Sequence, residues 1–296
     1  MYLDYCGSRR KWVVMYQSII ISLICLSSTL YGHSYSITPE TKIVGNHEAK
    51  VLGIRTLAQF CEKYSIGYDA LLKANPFLAN GHVNHNTVLI VPKTHILPQK
   101  RQGVIVNLAE KQLYFFPDKT HVYIYPIGIG RQKWSSPEGV FWLRDKRHKP
   151  TWYVPDSVKE EELAKGISLP KSIPPGEENP LGDYAIRLSY TSFLIHGTND
   201  PSGIGKESTS GCFSMYNQDI AELYANTTPG QMITIENKPL SWYNTPDEIV
   251  LAAYQPSDIS DHELPQNISL DHKEDIQDIL SLAQGIPQSI TLKGES

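Results

Sequence analysis

From Gly103 to Ile124 the period of the apolar residues shifts towards two. Val104, Val106 and Leu108 alternate, Leu113 to Phe116 follow Glu110-Lys111, and Val122 and Ile124 alternate before Pro126. A period of two buries one face of an extended chain and does not suit a helix. The Ala-Glu-Lys-Gln and Pro-Asp-Lys-Thr segments between the runs are turn formers, so antiparallel hairpins are expected. The pattern returns at Tyr184, Ile186 and Leu188, at Phe193 to Ile195, and at Gln231 to Ile235. The spacing predicts an α+β chain with a mostly β domain over residues 101–239.

Within that domain Gly128-Ile129-Gly130-Arg131 reads as a bend, because neither a helix nor a third glycine follows at dinucleotide-binding spacing. Ser136 to Gly139 is a turn before a strand at Val140 to Leu143. The prolines of Arg144 to Gly182 predict a long loop with one short helix at Lys159 to Ala164. A loop of this length in a compact domain reads as a binding lid, and Trp152-Tyr153 is expected to face substrate. Asn217 is expected to cap a helix over Gln218 to Tyr224.

Upstream, residues 42–95 have a different rhythm. Leu57, Phe60, Cys61 and Tyr64 recur at helical spacing, as do Tyr68, Leu71 and Leu72, and Thr87 to Pro92 reads as a strand. The Pro-containing link His95 to Gln102 marks a domain boundary. Downstream, residues 240–296 are rich in acids and are expected to form a mobile or loosely docked tail, with an amphipathic helix at Lys273 to Leu282.

The amino terminus carries Arg9-Arg10-Lys11, then an apolar run from Trp12 to Leu30, then small and polar residues by Gly32 to Ser36. This order predicts a signal peptide over residues 1–36. An uncleaved anchor able to contact the membrane is the alternative. Either way the rest of the chain is expected outside the cytoplasm. The hydrophobic content of 41% supports buried cores, and the net charge of −4, with no basic block elsewhere, gives no reason to expect a nucleic acid partner.

Export bears on the cysteines. Cys6 and Cys25 lie in the export segment, leaving Cys61 on a predicted helix and Cys212 in a Ser-Gly-Cys turn. Cys61 is read as a small buried residue and Cys212 as a free thiol. His196 ends a strand sixteen positions before Cys212. A thiol becomes an acylating nucleophile when a base takes its proton and amide donors hold the oxyanion. His196 suits the first task, and the amides of Gly211 and Cys212 the second.

The words around this pair resemble those of the L,D-transpeptidase catalytic domain, the YkuD type. They include G-V-I-V-N-L-A-E-K-Q-L-Y-F-F-P, P-I-G-I-G-R, S-P-E-G-V-F, I-P-P-G-E-E-N-P-L-G-D-Y-A, L-I-H-G-T-N-D-P-S-G-I-G-K and G-C-F-S-M-Y-N-Q-D-I-A-E-L-Y. The resemblance implies a periplasmic or cell-envelope enzyme of a bacterium, without metal or organic cofactor. Its Cys212 would attack the diaminopimelate carbonyl of a tetrapeptide stem, with His196 as base and acid and the Gly197 carbonyl orienting the imidazole. An amine then resolves the thioester: another stem's diaminopimelate, giving a 3→3 cross-link, or a lipoprotein's Lys. The same residues also suit a carboxypeptidase or amidase that uses water, and a catalytically weakened wall-binding protein is a further alternative.

Two positions depart from the family. Ser210 stands where a second His is usual, and Ser214 where an Arg suited to a substrate carboxylate is common. Thr209 and Gly211 keep the family pattern, so Thr209, Ser210, Gly211 and Ser214 are the expected oxyanion and substrate contacts. Residues 42–95, through R-T-L-A-Q-F-C-E-K-Y-S-I, A-L-L-K-A-N-P and T-V-L-I-V-P, resemble a LysM module. That resemblance implies contact with the glycan strands of peptidoglycan.

Overall fold

The computed structural model describes residues 34–53, 56–80, 83–244, 248–254 and 287–291. The predicted export segment lies outside these residues as far as position 33. Its last positions do not: β1 (Ser34–Ser36) is an edge strand, so the catalytic sheet begins two residues before the expected boundary at 36. Next come β2 (Ile43–Val44) and β3 (Glu48–Val51), then the helices α1 (Leu57–Tyr64) and α2 (Tyr68–Ala74), and then β4 (Val88–Val91) and β5 (His95–Ile96). Thr56 caps α1 by accepting the Gln59 N–H at 3.2 Å, and α1 ends at Ser65 in the left-handed region, φ 44°.

β3 pairs antiparallel with β4 across the two helices, giving a βααβ unit. Its core holds Phe60, Cys61, Leu71, Leu89 and Val91, and also Ile204 and Tyr216 from much later in the chain. The predicted boundary at 95–102 is tightly bound. β5 pairs with β2, Leu97 N–H donates to the Lys42 carbonyl at 2.8 Å, and Arg101 donates to the carbonyls of Thr38 and Thr41.

The second half supplies β6 (Gly103–Asn107), β7 (Gln112–Phe116), β8 (His121–Pro126), β9 (Ile129–Gly130), β10 (Gly139–His148), β11 (Trp152–Tyr153), α3 (Asp156–Ala164) and β12 (Ser172–Ile173). These are followed by β13 (Tyr184–Leu188), β14 (Leu194–His196), β15 (Glu207–Thr209), β16 (Phe213–Ser214), α4 (Asn217–Asn226) and β17 (Met232–Glu236). Nine strands form one sheet in the order β1-β8-β7-β6-β17-β10-β13-β14-β16. The expected hairpins are present, but the sheet is mixed: β17 pairs parallel with β6, and β16 with β14.

β6 and β7 are buried along their whole length. Val104, Val106, Leu113 and Phe115 face one core with Ile186, Ile195, Phe213 and α4, while Ile105, Tyr114 and Phe116 face another with Ile37, Val44 and Ile124. Both faces are covered, so these strands carry apolar residues at every position, and a one-sided alternation undercounts the core.

β10 runs to His148, five residues beyond the predicted end. It pairs with β17 through Gly139 to Trp142 and with β13 through Leu143 to His148, with a register shift between Leu143 and Lys146. Such a bulge lets one strand turn while it pairs on both sides. The lid therefore starts after 148, and β11 and β12 close a small hairpin around α3. Part of the expected loose tail is instead folded. β18 (Leu240–Asn244), β19 (Glu248–Ala253) and β20 (Gln288–Thr291) form a three-stranded sheet, in which Val250, Ala252 and Tyr254 pack on Ile96 and Ala109. The predicted helix at 273–282 lies outside the described residues.

Candidate active site

The parallel pairing of β14 with β16 builds the site. Ile195 lies opposite Phe213 and His196 opposite Ser214, so Leu194 lies beside Cys212. Ile195 and Phe213 are fully buried in the core and anchor the two strands. Residues two apart on a strand share a face, which sends His196, Ser214 and Cys212 to the other side.

His196 is buried, and its Nδ1 lies 2.6 Å from the Gly197 carbonyl oxygen. A carbonyl only accepts, so Nδ1 carries the hydrogen and the neutral ring presents a free lone pair at Nε2. Burial pushes the imidazole down to about 4, against the pull of the Gly197 carbonyl. Burial also pushes the Cys212 thiol up, with a Leu194 backbone hydrogen bond acting the other way. Both effects favour the neutral forms, an uncharged imidazole at His196 and a thiol at Cys212.

Asn217 fixes the chain that leaves His196. Its Oδ1 accepts the Thr198 N–H at 3.0 Å and its Nδ2 donates to the Thr198 carbonyl at 2.8 Å. An added Cβ at Gly197 or Gly182 would strike that same Oδ1, which explains both glycines. The expected capping role is not observed: Asn217 is the first residue of α4, after Tyr216, and spends its amide on the His196 loop.

Cys212 sits in a turn that its neighbours hold on all sides. Thr209 Oγ1 accepts the Gly211 N–H at 3.1 Å and donates to the Cys212 carbonyl at 2.6 Å. Ser136 Oγ donates to the Gly211 carbonyl at 2.9 Å and accepts the Gly130 N–H at 2.9 Å. Gly211 has φ +104°, and an added Cβ would lie 2.6 Å from the Phe193 ring. The Gly211 amide, expected to face an oxyanion, is thus engaged by Thr209, leaving the Cys212 amide as the candidate donor.

The two departures from the family pattern have different surroundings. Ser210 Oγ accepts from Arg131 Nη2 at 3.3 Å. Ser214 is buried, and its N–H and carbonyl both pair with Gly128, at 3.0 and 2.9 Å. The structure therefore groups His196, Gly197, Thr209, Ser210, Gly211 and Cys212, while the Ser214 hydroxyl is packed against Gly128. Sequence reasoning missed Asn217 and Arg131, because each makes sense only through partners far away in the chain.

A cavity of about 550 Å³ lies to one side, lined by Glu62, Glu177, Asn179, Asp183, Thr198 and Asn217 among others. Neither His196 nor Cys212 is in its wall.

The family model described as the L,D-transpeptidase catalytic domain (YkuD) matches residues 101–235. The chain is 31% identical over 284 residues to the probable L,D-transpeptidase YcfS of Escherichia coli, covering 93% of this chain and 88% of the relative. It is 33% identical over 233 residues to the probable L,D-transpeptidase ErfK/SrfK of the same organism, covering 76% of this chain and 75% of the relative. The solved catalytic domain of an Enterococcus faecium L,D-transpeptidase overlaps 47% of this chain and 99% of its own, at 17% identity and a TM-score of 0.36. That overlap adds nothing to the assignment, which rests on the sequence matches. With the family model over the domain that carries His196 and Cys212, and a relative matched along nearly its whole length, the chain belongs to the L,D-transpeptidase (YkuD) family.

Proposed function

We propose that this chain is a cell-wall L,D-transpeptidase in which Cys212 is the nucleophile and His196 the proton carrier. The observation that carries this reading is the 2.6 Å contact from His196 Nδ1 to the Gly197 carbonyl, beside a strand register that sets Cys212 next to Leu194. With Nδ1 occupied, Nε2 takes the thiol proton as sulfur attacks a donor carbonyl. The new C–S bond leaves charge on oxygen, for which the Cys212 amide is the proposed donor, since Thr209 engages the Gly211 amide. The imidazolium returns the proton to the departing amine. An incoming amine then gives a proton to Nε2 as it displaces sulfur, and Nε2 passes that proton to the departing thiolate, restoring the neutral pair.

The family resemblance supplies the substrates: a tetrapeptide stem as donor through its diaminopimelate carbonyl, with D-Ala leaving, and a stem or lipoprotein amine as acceptor. The βααβ unit is read as the contact for glycan strands, and the amino-terminal segment as the export signal or anchor. The test is intact-mass analysis of the protein with tetrapeptide muropeptide, with and without Cys212→Ala. A thioester adduct and cross-linked dimers with the parent protein alone support the proposal. Tripeptide without dimers would indicate that water is the acceptor, and dimers made by Cys212→Ala would refute the role of the thiol.

A further inference from the structure

Arg131 follows β9, which pairs parallel with β15 at the edge of the nucleophile turn. Its Nη1 and Nη2 lie 2.9 and 3.0 Å from the two carboxylate oxygens of Glu161. Nη2 also donates to Ser210 Oγ at 3.3 Å, and Nε to the Thr209 carbonyl at 3.3 Å. The guanidinium is thus tied to the turn by its inner edge and presents its outer fork to a carboxylate, the geometry that guanidinium groups use for bidentate recognition.

The carboxylate that fills this fork belongs to the lid. Glu161 lies on α3, a helix with no buried residue and with Leu163 largely exposed. Apolar packing does not anchor it. Instead Glu161 bonds to Arg131, to Trp134 Nε1 at 3.1 Å and to Lys165 at 3.2 Å. The Arg131 side chain remains 37% exposed. Ion pairs this close to water exchange partners at small cost.

We propose that the Arg131 guanidinium is a carboxylate-binding subsite beside Cys212, which Glu161 fills when the site is empty and yields to the carboxylate of an entering substrate. The site so formed accepts acyl donors that carry a free carboxylate near the reacting carbonyl, and filling it releases α3 from the nucleophile turn. The proposal rests on the reading of Cys212 as the acyl-accepting thiol, and its test separates the two.

The test has two parts, each on the full chain with Arg131→Met, Arg131→Lys and Glu161→Gln. In the first, Cys212 is alkylated with anionic iodoacetate or neutral iodoacetamide, and the adduct is quantified by peptide mass. Arg131→Met lowers the iodoacetate-to-iodoacetamide rate ratio about fivefold, Arg131→Lys lowers it less, and Glu161→Gln raises it. In the second, KM is measured for tetrapeptide stems whose diaminopimelate side-chain carboxyl is free or amidated, and Arg131→Met removes the preference for the free acid. A latch with only a structural role would change both reagents and both stems alike, and that result overturns the proposal. Acyl transfer with an unchanged preference in Arg131→Met also overturns it while leaving the proposed function intact. The expected alkylation ratios with no acyl transfer from either stem would refute the function and retain the subsite.

Discussion

Replacing Asp219 by Asn should stabilise the protein at alkaline pH and lose that advantage in acid. Asp219 is buried in the first turn of α4, where Ser65 Oγ donates to it from the end of α1. Burial raises its carboxyl from 3.8 to about 7, the Ser65 hydroxyl opposes this, and the neighbouring Glu222 and Glu62 add to the rise. A carboxyl raised by folding contributes stability that is fully present below the unfolded value near 3.8, and loses it as pH climbs through about 7.

At 1.36 kcal/mol per pH unit, the loss approaches about 4 kcal/mol at pH 8 and is about 1–2 kcal/mol at pH 5. Asn keeps an acceptor for Ser65 but brings an amide N–H₂ that needs its own partner, a cost of about 1–3 kcal/mol that does not vary with pH. The difference between the two pH values therefore isolates the carboxyl. Denaturant unfolding followed by circular dichroism should show Asp219→Asn gaining about 2–3 kcal/mol relative to the parent between pH 5 and pH 8. An effect of equal size and sign at both would mean that the carboxylate is ionised and well paired, and the reasoning fails.

Three further outcomes follow from the site. Gly211→Ala forces a side chain onto a backbone at φ +104° and against Phe193, so it should cost about 2 kcal/mol or more in thermal unfolding and suppress Cys212 acylation. Asn217→Ala removes both bonds to Thr198, and acyl transfer should fall about tenfold or more, with retained secondary structure by circular dichroism. Since burial holds the His196 imidazole at about 4, kcat/KM should stay flat from pH 7 to pH 5 and fall only near pH 4, whereas a fall centred at 6.5 would show a solvated imidazole.

Much of the catalytic domain was legible because period-two runs and Gly-containing turns are local signals. His196 and Cys212 could be paired on paper, since one ends an apolar run and the other follows a glycine. What escaped was information held by distant partners. The parallel pairing of β6 with β17 joins segments more than a hundred residues apart and has no turn to announce it. Asn217 looked like a cap because cap residues and clamp residues are the same types; only the folded loop shows that its amide reads Thr198. The acidic composition beyond 240 suggested a loose tail, but Val250, Ala252 and Tyr254, at every second position along β19 and the residue after it, pack on Ile96 and Ala109, and this apolar face outweighs the charge around it.

The packing of the βααβ unit bears on how far the enzyme can reach. Tyr216 hydroxyl donates to the Ile66 carbonyl at 3.0 Å, Tyr68 N–H donates to the Ile204 carbonyl at 3.0 Å, and Gly67 and Gly205 meet backbone to backbone. Tyr216 follows Cys212 by four residues, so the nucleophile strand runs directly into the other unit's core. The segment at 97–102 is then a strut and not a leash, and lengthening it would add slack without extending the active site's range. On the proposed reading of the βααβ unit as a glycan contact, the gap from a bound strand to the thiol would be a fixed dimension, and stems would be selected by where along the polymer they project.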